Sequence, residues 1–159
     1  MKKFLLFLGF SLAFAGHAFA ADLSVTAANV VPGSNAVIVN GTAGATITAG
    51  QALYFDVTTS TYKLSQNNSG TAAVRHIDGI ALNSASANQP VGVQTAGSVT
   101  TGATMTAGTT YYLSANAGNI APIADVTAGH DPVIAYIATS TTAANVINGT
   151  AGGDPGVTF

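Results

Sequence analysis

Gly44-Ala45-Thr46-Ile47-Thr48-Ala49-Gly50, followed by Gln51-Ala52-Leu53-Tyr54-Phe55-Asp56, returns later in the same chain. The second copy reads Gly102-Ala103-Thr104-Met105-Thr106-Ala107-Gly108, followed by Thr109-Thr110-Tyr111-Tyr112-Leu113-Ser114. The offset is 58 (102 − 44), and the only change within the repeated block is Ile47 against Met105, an apolar swap of similar volume. Tyr54 and Tyr112 match at the same offset. Self-similarity at a fixed spacing outranks single-residue motifs as a guide to architecture. It predicts two copies of one β unit, over residues 30–87 and 88–145. Each block supplies the tight Gly and Ala-Gly path into a Tyr-bearing strand, a scaffold role rather than a binding motif.

Outward from the first block, Ala36 to Asn40 reads as a strand ended by an Asn40-Gly41 turn, because both residues tolerate positive φ. Gln51 to Val57 and Tyr62-Lys63-Leu64 form a hairpin. Ile77 to Leu82 is a strand with an irregularity at Asp78-Gly79. Pro90 to Gln94 is another, and Thr95-Ala96-Gly97 turns the chain into Ser98 to Thr101. Around the second block, Thr109 to Ser114, Ile120 to Ile123, Pro132 to Ala138 and Ala143 to Asn148 are strands. Asp22 to Val31 is an extended arm or first strand. Short strands with Gly, Pro and Asn turns predict an all-β fold, a small β-sandwich or β-barrel.

The chain has 159 residues, enough for one domain with a core. Domain organisation is read as a leader over 1–20, one β domain over 21–148 with the arm at its start, and a Gly-rich tail over 149–159. The leader has Lys2 and Lys3, an apolar run from Phe4 to Ala15, and small residues at Ala18 and Ala20, the layout of a cleaved secretory signal peptide. The run is short for a membrane span, which needs about 20 apolar residues.

Lys and Arg total 4 and Asp and Glu total 6, all of them Asp. So few cations cannot neutralise many phosphates, which argues against nucleic acid and anionic lipid as partners. Cysteine is absent, so disulfides and thiolate chemistry are excluded. No nucleophile elbow, zinc signature, P-loop or dinucleotide fingerprint occurs, so no enzymatic activity and no cofactor are expected. His76 with Asp78, and His130 with Asp131, are weak candidates for a metal site if their loops meet; capping and turn formation by the Asp side chains is the simpler reading. Tyr54, Tyr62, Tyr111 and Tyr112 are interface candidates, with one of each adjacent aromatic pair expected to face the core.

Many short runs in this chain resemble one family. They are Thr26-Ala27-Ala28-Asn29-Val30; Gly41 to Gln51; Tyr62-Lys63-Leu64; Gly79 to Pro90; and Thr110-Tyr111-Tyr112-Leu113-Ser114. Over residues 22–148 the pattern looks like the capsid cement or head-decoration proteins of tailed phages. The resemblance implies a compact β domain on the capsid surface that works without catalysis. Its implied partners are the major capsid protein or its own copies, a trimer being one form. Such proteins begin near Asp22, without a leader. The leader here points to an alternative, a secreted bacterial β protein of phage origin that binds a surface or glycan or builds a fibre.

Overall fold

The computed structural model describes residues 21–149; the leader expected over 1–20 and the tail from residue 150 lie outside the described residues. Ten strands form one curled antiparallel sheet, a half-barrel, so the fold is all-β. The strands are β1 (Val30–Pro32), β2 (Val37–Thr42), β3 (Ala52–Asp56), β4 (Thr61–Leu64), β5 (Gly79–Ala81) and β6 (Pro90–Thr101), then β7 (Thr110–Leu113), β8 (Ile120–Pro122), β9 (Ile134–Ala138) and β10 (Ala143–Val146). Their order is β4-β3-β5-β6-β10-β9-β7-β8, and β1 and β2 also pair with β6. Single 3-10 turns cover Ala27–Asn29, Ala72–Arg75 and Ile123–Asp125. With Thr, Val and Gly abundant and Glu absent, the composition favours this extended backbone over helix.

Each repeated block leads into a strand that pairs on both sides. Leu53 on β3 lies between Leu64 on β4 and Gly79 on β5. Tyr111 on β7 lies between Pro122 on β8 and Tyr136 on β9. The loop hydrogen bonds recur as well. Gly50 N donates to Ala81 O and Gly108 N to Ala138 O, both at 2.7–2.8 Å. Gly50 and Gly108 both take positive φ, 90° and 78°. A left-handed residue at this point is where glycine has no steric penalty.

Two apolar clusters result. The smaller holds Ala43, Ile47, Leu53, Ala81, Ala85, Val91 and Val93, with Tyr62 and Leu64 packed against it. The larger contains Met105, Tyr111, Leu113, Ile120, Val133 and Tyr136, with Leu23 and Val25 of the arm against it. Ile47 and Met105, the differing residues of the repeated block, are both buried.

Several expected boundaries move. Asn40-Gly41 does not turn the chain; it lies inside β2, opposite Gly92 and Val91. Gly41 is needed for close approach, since a Cβ there would sit 2.5 Å from Tyr62 Cε2. Asp78-Gly79 makes no bulge, because Leu53↔Gly79 and Ala52↔Ile80 pair in register. At Gly79 a Cβ would meet Val93 Cγ1 at 2.5 Å. The turn expected at Thr95-Ala96-Gly97 is absent, and the two strands around it are one 12-residue strand, β6. Gly97 takes φ 87° and lies against the backbone of Asn35, whose side chain accepts the Ser98 N–H at 2.8 Å. The strand therefore bends at Gly97 instead of reversing. Within the first repeated block Ile47 makes an isolated bridge to Ala85. Gly149, assigned to the tail, is held in the fold by accepting the Ile77 N–H at 3.0 Å.

Candidate interaction surface

The expected metal candidates do not converge. His76 Nε2 pairs with Asp78 Oδ1 at 2.9 Å, and Asp78 Oδ2 accepts the Phe55 N–H at 2.7 Å, so Asp78 anchors β3. Asp131 is ion-paired with Arg75 Nε, and Arg75 also donates to Ser69 O. His130 Nδ1 is 3.3 Å from Thr127 Oγ1 within its own turn. The two loops thus meet through Arg75, a cation that repels a metal ion. Among the described residues no group of three or more His, Asp or Glu side chains is placed to hold one.

The tyrosines divide. Tyr111, expected as an interface residue, is buried, and its hydroxyl accepts the Thr106 N–H at 2.9 Å. Its neighbour Tyr112 is half-buried, as alternation along a strand requires. The core-facing residue beside Tyr54 is Leu53, so Tyr54 is half-buried and Phe55 exposed. Phe55 and Tyr62 meet edge to face, with centroids 5.2 Å apart. Burial, then the charge of Asp78, pushes the Tyr62 phenol up. Beside this pair Lys63 Nζ lies 2.6 Å from Asp56 Oδ2. The Lys63 bond and the Thr58 N–H hold the Asp56 carboxyl far below its usual range. Both charges of that pair are spent on each other.

The exposed apolar residues that the sequence reading missed lie on β1 and β2, the strands paired with β6. Val31, Val37, Ile38 and Val39 are exposed by 52, 53, 45 and 37%. Ala36-Val37-Ile38-Val39 is an uninterrupted apolar run, which in a sequence is indistinguishable from a strand buried on both faces. Here it is the reverse, a strand open on both faces. Val57, at 79%, is a further exposed apolar side chain, at the tip of the β3–β4 hairpin. Exposed apolar clusters of this kind mark contact surfaces.

A cavity of about 190 Å³ lies between the arm and the first block, lined by Leu23, Val25, Gly50, Gln51 and Ile120. It holds no titratable side chain; Thr48, Gln51 and Asn119 are its polar lining residues. No helix among the described residues is long and apolar enough to cross a membrane. The sequence matches no family model and no curated protein.

Proposed function

We propose that the chain is a non-enzymatic structural protein of a phage particle, attached to the capsid surface through its β domain. The observation that carries this reading is the set of exposed apolar side chains on β1 and β2, Val31, Val37, Ile38 and Val39, with Phe55 exposed on β3. The resemblance of residues 22–148 to capsid cement proteins supports it. A sparsely charged exterior also suits close packing of many copies, because like charges do not repel. On this reading the chain uses no cofactor, and its partners are capsid protein and its own copies.

We also read the chain as two copies of one β unit. The matched pairings of Leu53 and Tyr111, and the matched loop bonds of Gly50 and Gly108, favour it.

One feature favours a second function. Residues 1–20 have the layout of a secretory leader, which suits a secreted β protein that binds a surface or assembles into a fibre. Mass spectrometry separates the two. The chain is expected in purified virions at a fixed ratio to the major capsid protein. Recovery only from culture medium, with a mature N-terminus at Ala21, would overturn decoration in favour of secretion.

A further inference from the structure

We propose that residues 22–26 of the arm dock and undock as a unit, a strap that lifts off the larger cluster while the sheet stays folded. Hydrogen bonds at both ends hold it down. Asp22 Oδ2 accepts from Asn116 Nδ2 and from Asn119 Nδ2, both at 2.8 Å. The Leu23 N–H donates to Ile120 O at 2.7 Å, and the Thr26 N–H to Gly102 O at 2.8 Å. Leu23 and Val25 pack half-buried against the larger cluster, while Ser24 and Thr26 are exposed. No residue from 21 to 29 is buried; the first buried side chain is Val30, where β1 starts to pair with β6. The strap therefore ends sharply at the Ala27–Asn29 turn, which buries nothing, and the firm sheet begins at the next residue.

Beneath the strap the packing is incomplete. The cavity of about 190 Å³ lies against Leu23 and Val25, and Thr48, Gln51 and Asn119 give it polar walls. Water entering as the strap lifts finds partners there, so opening does not expose a dry interface. The strap also rests on two glycines, one from each repeated block. A Cβ at Gly50 would lie 2.6 Å from Val25 Cγ1, and one at Gly102 would lie 2.5 Å from Thr26 O. At these points the floor has no side chain to interlock with the strap. Two half-buried aliphatic side chains and a few surface hydrogen bonds, set against the backbone freedom of five residues, leave a small margin for docking. Segments with so little buried surface open ahead of global unfolding. The first repeat is the contrast. Its closure is the Gly44 N–H on Tyr62 O, and that bond sits between buried Ala43 and β4, both built into the smaller cluster. Undocking frees Ile120 O and Gly102 O to water, and the arm itself is the segment that refills the slot. The motion is a property of the isolated chain and stands apart from the capsid reading.

Hydrogen exchange of the full chain in water and in low urea tests it. The Leu23 and Thr26 amides should show protection at least about a hundredfold below that of Leu113 and Ala138, whose N–H groups donate to Val133 O and Thr109 O. Their exchange should hardly respond to urea, because undocking exposes little surface, whereas Leu113 and Ala138 should respond strongly. The Gly44 amide should behave like Leu113. Asp22→Ala removes the carboxylate from Asn116 and Asn119, and should speed Leu23 and Thr26 exchange by one common factor, about tenfold. Leu23 and Thr26 exchanging only with Leu113, at the same urea dependence, would overturn the proposal. So would an Asp22→Ala effect confined to Leu23, which would be fraying at one end and not a unit. Exchange of Gly44 as ready as that of Leu23 would also overturn it, because the opening would then not belong to the strap.

Discussion

The two halves of the sheet use the same local pattern and close it differently. In the first half Gly44 N donates directly to Tyr62 O. In the second, the residues at the same offset, Gly102 and Ile120, do not meet. Thr26 N donates to Gly102 O at 2.8 Å and Leu23 N to Ile120 O, so the arm stands between them as an added extended segment. Side-chain size accounts for the difference. Where the first half pairs Leu53 with Gly79, the second pairs Tyr111 with Tyr136. Small residues let the first half close on itself around seven buried side chains. The tyrosines hold the second half wider, and Leu23 and Val25 fill what remains. Matching loop bonds are therefore compatible with two core sizes where a spare segment is at hand.

The comparison can be broken at the tyrosines. Tyr111→Ala should cost about 4 kcal/mol, from a large cavity and the lost acceptor for Thr106 N–H. Urea unfolding measures this, and a loss below about 1 kcal/mol would mean that Tyr111 does not prop the second half open. The arm is the next lever. Leu23→Ala with Val25→Ala should cost about 2 kcal/mol, since both side chains are only half-buried. Hydrogen exchange should then quicken in β8 and leave β4 unchanged; equal quickening in both would contradict the closure described for the first half.

The smallest effect sharpens the picture. Tyr136 is fully buried, and its hydroxyl finds no partner among the described residues. Burial pushes its phenol far above the ordinary value of 10.0. The folded state keeps the proton where the unfolded chain would lose it. That contribution to stability is intact below about pH 10 and falls away as pH rises beyond it. Tyr136→Phe should be neutral, or stabilising by up to about 1 kcal/mol, at pH 7. Melting at pH 9 and pH 11 should show a smaller alkaline drop in the variant. An unchanged drop would trace the effect to Tyr62, whose phenol is also raised.

How much of this was legible depended on range. The β3–β4 and β7–β8 hairpins were readable because their signals are local: a repeated Gly-bounded block, then alternating residues and a turn. Asn40-Gly41 misled because its local meaning, a turn, is overridden by the Tyr62 ring lying over Gly41. Gly97 misled for the same reason, its place being set by Asn35, more than sixty residues earlier in the chain. Of the adjacent aromatic pairs, Tyr111-Tyr112 has one buried member, Tyr111, whereas in Tyr54-Phe55 neither is buried, because Leu53 takes the core position. The exposure of Val37, Ile38 and Val39 was invisible, because an apolar run does not say whether anything covers it.

Strand β6 carries a last consequence. Its first half pairs with β2 and β5, and its second half with β1 and β10. The same twelve residues are a wall of both clusters. No cut in the chain yields two self-sufficient pieces, because each would need its own copy of that wall. Despite two cores, the molecule should melt in a single step, and a force applied at one end should be felt across the sheet before either half lets go.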